Sequence, residues 1–247
     1  MRKLNIFIIS ILFIAICLGI VTYALSNNLS FQIENVSDAY VFPNYKEGKY
    51  KDMTYIEKIN DCQIPYDTLN KMSTNGLIET CLKYPFYFDM VFRETPYIGF
   101  KKTIQNFNGL NELLSREDAS EELFKFYNSI DFSNISESND EGLALRMRYL
   151  EYIISQNEII YKMTKDMRED LVKICIENLM LKIEKYPDVF TVDPTLLIIG
   201  RILSIDNDEF VKYIEENPKI QQFVEEGTLQ EMSQAEWENL FRILEIL

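Results

Sequence analysis

Histidine is absent from all 247 residues. Without an imidazole the chain has no Ser-His-Asp or Cys-His machinery, no imidazole general base and no His-ligated zinc or iron site. Cysteine is scarce too. Cys17 lies inside a long apolar run, and Cys62, Cys81 and Cys175 are too widely spaced for a local CxxC metal pair. Three thiols outside that run are an odd, sparse set rather than a disulfide framework. Cys62 and Cys81 would pair only if the short helix before Ser73 folded back on the next one, and buried free thiols are the ordinary state of such residues. Eight glycines, with no Asn-Gly turn between alternating apolar runs, leave little material for β-hairpins.

Positive charge is also in deficit. The chain has 25 Lys+Arg against 39 Asp+Glu, a net charge of −14. Setting aside residues 1–26 leaves 23 against 39, a balance of −16. Such a surface repels phosphate backbones and anionic headgroups, and no basic stripe interleaved with aromatics overrides it; nucleic acid is excluded as a partner. The ordinary role of this charge is to keep an exported protein soluble and monomeric.

What is present begins with an address. Arg2 and Lys3 precede the apolar run "LNIFIISILFIAICLGIVTYAL", Leu4 to Leu25, which ends at Ser26-Asn27-Asn28. Its length, near the roughly 20 residues that span a bilayer, and the small residues at cleavage spacing in Thr22-Tyr-Ala24 and Ala24-Leu-Ser26 fit an export signal or a single membrane anchor. Positive charge on the leading side alone places the rest of the chain outside the cytoplasm, secreted or anchored. Membrane contact then runs through residues 1–26, and only if the leader is uncleaved. Ile16 before Cys17 is too large for a lipobox, which argues against acylation.

Residues 27–53 show no sustained period and read as a tether, and 54–247 as a helical domain with a soft boundary at 131–142. Asn28, Asn35 and Asn134 begin glycosylation-type triplets, which matter only in a eukaryotic secretory route. Thr54-Tyr-Ile-Glu57 forms a capping-box pattern, Pro65 opens a helix expected to reach Met72, and Ser73 starts another through Leu82 or Lys83. Later starts are predicted at Ser138-Asn-Asp-Glu141, Asp193-Pro194 and Ser233-Gln-Ala-Glu236. Leu143, Met147, Leu150 and Ile154 share one helix face. Met167, Leu171, Ile174, Cys175, Leu179 and Ile183 form a stripe and Val172, Ile176 and Met180 a second, which predicts a helix sandwiched between neighbours. The expected fold is all-α: stacked antiparallel helices, as an α-α superhelix or irregular bundle, after the N-terminal signal or anchor helix.

The triplet Lys-Tyr-Pro occurs twice, at Lys83–Pro85 and Lys185–Pro187. Each follows a helical pattern. Proline forces the preceding tyrosine out of helical geometry and the lysine suits the negative helix end, so both are stop signals rather than a repeated binding motif.

The stretches "CQIPYDTLNKMSTNGLIETCLKYP" (Cys62 to Pro85) and "GFKKTIQNFNGLNELLSREDASEELFKFY" (Gly99 to Tyr127) resemble a group of exported proteins from clostridia-type bacteria that carries no assigned activity. The likeness covers about residues 55–130 and is weak beyond. It implies bacterial export and nothing catalytic.

Carboxylate chemistry needs no histidine. Asp89 and Glu94 beside Tyr84, Phe86, Tyr87 and Phe88 could line a sugar cleft, although an aromatic burst after a helix end is more often core. Asp206-Asn-Asp208-Glu209 is oxygen-rich, yet Phe210 and Val211 stand where a calcium loop needs Asp/Asn and Gly, so an acidic helix start is expected. Trp237, Leu240, Phe241 and Leu244 share a face that docks a partner or closes the core. No catalytic, cofactor-binding or metal-ligating residue is assigned. The expected function is a non-catalytic binding module at the cell envelope, its partner an unknown protein, peptide or polysaccharide; the alternative is a carboxylate-dependent glycan-active enzyme.

Overall fold

The computed structural model describes residues 38–45, 48–132, 140–187 and 189–227. The apolar leader, the first part of the tether, the three glycosylation-type triplets, residues 133–139 of the soft boundary and the C-terminal stripe from Ser233 lie outside these residues. Among the described residues there is no strand, and no helix is long and apolar enough to cross a membrane. The all-α expectation holds.

The front half carries α1 (Tyr55–Asp61), α2 (Tyr66–Leu69), α3 (Thr74–Leu82), α4 (Pro96–Asn106), α5 (Asn108–Ser115) and α6 (Ala119–Asn128), with 3-10 helices at Gly48–Asp52 and Tyr87–Phe92. The Thr54 capping box forms with Glu57, and Ser73 Oγ accepts from Gly76 N at the start of α3. Both free a first-turn amide from solvent dependence. α2 stops at Leu69 rather than Met72. The backbone bonding continues as turns to Met72, whose N–H donates to Thr68 O at 3.1 Å, and Arg116 donates to the carbonyls of Leu69 and Met72 at 2.9 and 2.7 Å.

The back half carries α7 (Asp140–Ile154), α8 (Asn157–Ile160), α9 (Lys165–Lys185), α10 (Asp193–Asp206), α11 (Asp208–Glu216) and α12 (Pro218–Glu226). Met147, Leu150 and Ile154 are buried on one face of α7 as their spacing predicts. α9 departs from the two-sided expectation: Leu171, Val172, Cys175, Asn178, Leu179 and Lys182 face inward, while Met180 and Ile183 are exposed. The inward row turns the second stripe toward solvent at its C-terminal end. The enclosed helix is α10, buried continuously from Pro194 to Leu203 against α7, α8, α9, α11 and α12. A helix apolar on all sides needs that environment.

α7 joins the halves, touching α3, α4, α6, α8 and α10, and one contiguous apolar core runs through both. Residues 38–45, assigned to the tether from sequence, lie against this core. Tyr40 N donates to Thr80 Oγ1 at 2.8 Å, Asp38 accepts from Ser73, and Phe42 meets the rings of Tyr84 and Phe107. Both Lys-Tyr-Pro triplets end a helix, α3 and α9, and both tyrosines turn into the core.

Candidate functional site

After α3 the chain enters the 3-10 helix Tyr87–Phe92, whose three-residue period eclipses side chains at i and i+3. One row, Tyr87 and Met90, is buried. The backbone of Met90 is pressed against Gly99 of α4, where a Cβ would lie 2.3 Å from the Met90 carbonyl oxygen. Of the other two rows, Phe88 with Val91 and Asp89 with Phe92, the first members are partly buried and Val91 and Phe92 are exposed.

α1 completes the surface. The capping box directs Tyr55, at its first position, across to the 3-10 helix, where Tyr55 Oη donates to Asp89 Oδ2. The Tyr55 ring meets Phe86 edge-on at 5.6 Å, and Phe88 meets Phe92 the same way at 6.4 Å. Phe92 is 59% exposed, Ile56 69% and Tyr55 48%. Behind them a closed aromatic cluster supports the platform, with Tyr84 stacked on Phe107 at 4.2 Å and 15°. Burial raises the Asp89 carboxyl above the usual carboxylate range, partly offset by the Tyr55 hydrogen bond and by Arg93. Burial and the same hydrogen bond push the Tyr55 phenol up.

Three further charged clusters are buried or partly buried. Glu151 and Lys182 pair at 2.7 Å and are joined by Tyr127 and Thr195. Arg148 donates to both oxygens of Asp193 at 3.0 Å, and Tyr152 Oη to Asp193 Oδ2 at 2.5 Å. Arg201 donates to the carbonyls of Ser155, Val224 and Glu225 and to Tyr97 Oη. Each ties helices together, and the first is sealed from any ligand in this conformation.

Of the residues singled out from sequence, Asp89 lies in the platform and is held by Tyr55; Phe86 and Phe88 are partly exposed beside it, Tyr84 and Tyr87 are buried, and Glu94 is exposed before α4. Asp206 is clamped by Arg168 at 2.6 and 2.7 Å, Asn207 caps α11, and Asp208 and Glu209 fill its first turn, as the acidic helix start predicts. Among the described residues no group of three Cys, Asp or Glu is placed to hold a metal ion. Cys62, Cys81 and Cys175 are free and buried. Burial pushes the Cys62 thiol up to about 11 and the other two further still.

Sequence reasoning missed Tyr55 as the partner of Asp89. A period-three row, Tyr87 and Met90 inward with Asp89 and Phe92 together, was the available signal, but six residues are too few to distinguish it from chance. The segments Cys62–Pro85 and Gly99–Tyr127 meet one another: Gln63 and Ile64 bond Asn108 at 2.9 Å, and Thr74 donates to Asp118 at 2.7 Å. Their pattern supports the fold rather than the platform. No protein-family model, curated protein or solved structure matches the chain, so the site is read from its own chemistry.

Proposed function

We propose that this protein is a non-catalytic binding module of the cell envelope, a stack of antiparallel helices outside the cytoplasm, released or held by residues 1–26. The observation that carries the reading is the exposed Tyr55 bonded to the half-buried Asp89, with Val91 and Phe92 exposed on the same 3-10 helix as Asp89 and Ile56 exposed next to Tyr55 in α1. Large apolar side chains grouped on a rigid mount and rimmed by a carboxylate are the composition of a contact surface rather than of ordinary solvated exterior. The interior ion pairs are consistent with this, since they brace the scaffold and leave the platform as the accessible chemistry. The basic leader, the apolar run behind it and the likeness of residues 55–130 to exported clostridial proteins support the address.

The raised Asp89 carboxyl favours one competing reading, a general acid acting on envelope glycans. One experiment separates them. The chain from Asn27 onward is immobilised and exposed to envelope extract, and retained material is compared for wild type and Phe92→Ala. A partner retained by the former and lost by the latter supports binding. Release of reducing sugar from wall material, abolished by Asp89→Asn and by neutralising a second carboxylate, would replace it with the enzyme.

A further inference from the structure

The ligand's chemistry follows from three properties of the platform, and this inference rests on the binding reading above. Aromatic ring faces carry the negative pole of their quadrupole and attract cations within about 6 Å. Here two exposed rings accompany Asp89: Tyr55, which donates to it, and Phe92, which shares its ridge of the 3-10 helix. The carboxylate uses Oδ2 to accept from Tyr55, a bond that orients it on the ridge. Finally, the chain's net charge of −14 draws cations toward it and repels anions.

We propose that the Tyr55–Asp89–Phe92 ridge binds the ammonium or guanidinium group of a basic peptide. The cation hydrogen-bonds Asp89 while the two rings cover its flanks, and Ile56 and Val91 receive the alkyl stem. A neutral sugar would use the ring faces but draw nothing from the acidic field. The groups acting on Asp89 are Tyr55 from α1 and Arg93, its neighbour in the chain, while Asp89 in turn acts on Tyr84 behind it. Arg93 is exposed, and no ion pair closes between it and Asp89 among the described residues. It is the in-chain competitor for the ligand's cation. Since only the ionised carboxylate holds a cation, affinity falls as the pH drops through the Asp89 pKa.

The test uses the full-length chain in neutral detergent, with blocked hexalysine and a neutral N-acetylglucosamine hexamer as calorimetric probes. Hexalysine is expected to bind wild type. Asp89→Asn and Phe92→Ala each weaken it about tenfold, Arg93→Gln strengthens it, and the pH dependence disappears in Asp89→Asn. Thermal unfolding confirms that each variant is folded. Glu215→Gln/Glu216→Gln, on the exposed side of α11, serves as the field control and leaves binding unchanged. Equal weakening by the control shows that only the general charge attracts the peptide and overturns the proposal. So does Phe92-dependent binding of the saccharide without hexalysine, or no binding of hexalysine at all. If hexalysine fails while envelope capture still depends on Phe92, the cation is wrong and the binding reading stands; if capture is indifferent to Phe92, that reading falls as well.

Discussion

Lys182 Nζ lies 2.7 Å from both carboxylate oxygens of Glu151, with side-chain exposures of 1% and 0%. Lys182 also donates to Thr195 Oγ1 at 2.8 Å, and Tyr127 Oη donates to Glu151 Oε1 at 2.6 Å. The rings of Phe132 and Phe190 lie 5.4 and 5.9 Å from the ammonium. One ion pair therefore joins α6, α7, α9 and α10. Two ions withdrawn from water stabilise a fold only while each is satisfied by the other, which makes removal of one partner far worse than removal of both.

Lys182→Met is accordingly expected to lower stability by about 3–5 kcal/mol, because Glu151 is left charged in an apolar interior. Lys182→Met/Glu151→Met recovers much of that loss. Urea denaturation of the single and double variants measures the coupling directly. Additive losses would show that the pair does not act as a unit.

Arg201 binds the far end of the fold to its centre. Its guanidinium reaches Val224 O at 2.9 Å and Glu225 O at 3.0 Å, the last turn of α12, while Nη1 reaches Ser155 O at 2.6 Å. Lysine lacks the planar fork that serves several acceptors at once. Arg201→Lys is expected to cost about 3 kcal/mol and to speed amide hydrogen exchange across residues 218–226 more than in α3. Uniform acceleration across both helices would instead mean that the loss is global.

Much of the fold was legible because its signals are local. Thr54, Ser73 and the two Lys-Tyr-Pro stops act within one helical turn, and the Met147–Leu150–Ile154 face needs only its own spacing. The interior of α9 was not legible. Lys182 falls on the inward row with Leu171, Cys175 and Leu179, but a lysine there is indistinguishable from a solvated one until Glu151, 31 residues earlier, is brought alongside. The platform was half legible: the aromatic burst and Asp89 stood out, whereas Tyr55, 34 residues away, is joined to Asp89 only through a long-range side-chain hydrogen bond.

Two aspartates should respond to pH with opposite signs. Arg168 holds Asp206 below the usual carboxylate range chiefly by hydrogen bonding, so its stabilisation is complete above the unfolded-state pKa and vanishes as pH falls through the folded value. Asp89 is raised, chiefly by burial; its charge penalises the fold at neutral pH, and the penalty disappears as pH falls below its folded pKa to the unfolded one. Asp206→Asn is therefore expected to lower the melting temperature at neutral pH and flatten the acid limb. Asp89→Asn is expected to raise it at neutral pH, with the gain fading on acidification. Thermal scans across the acid range check both, and a lower neutral melting temperature for Asp89→Asn would refute the second.

Gly99 tests the mount independently of the platform's own side chains. A Cβ at Gly99 would lie 2.3 Å from Met90 O and 2.4 Å from Met90 Cα, and backbone atoms have no rotamer by which to withdraw. Gly99→Ala must push α4 and the 3-10 helix apart, at an overpacking cost of about 1–3 kcal/mol. Because Asp89 and Phe92 lie on that same short helix, the shift should also weaken ligand capture although no exposed side chain has changed. Gly48→Ala supplies the contrast: its Cβ meets nothing within 4 Å, but its φ of +60° makes alanine strained there by about 1 kcal/mol. Equal stability losses with capture reduced only in Gly99→Ala would locate binding on the 3-10 helix, whereas capture reduced in both would tie it to global stability.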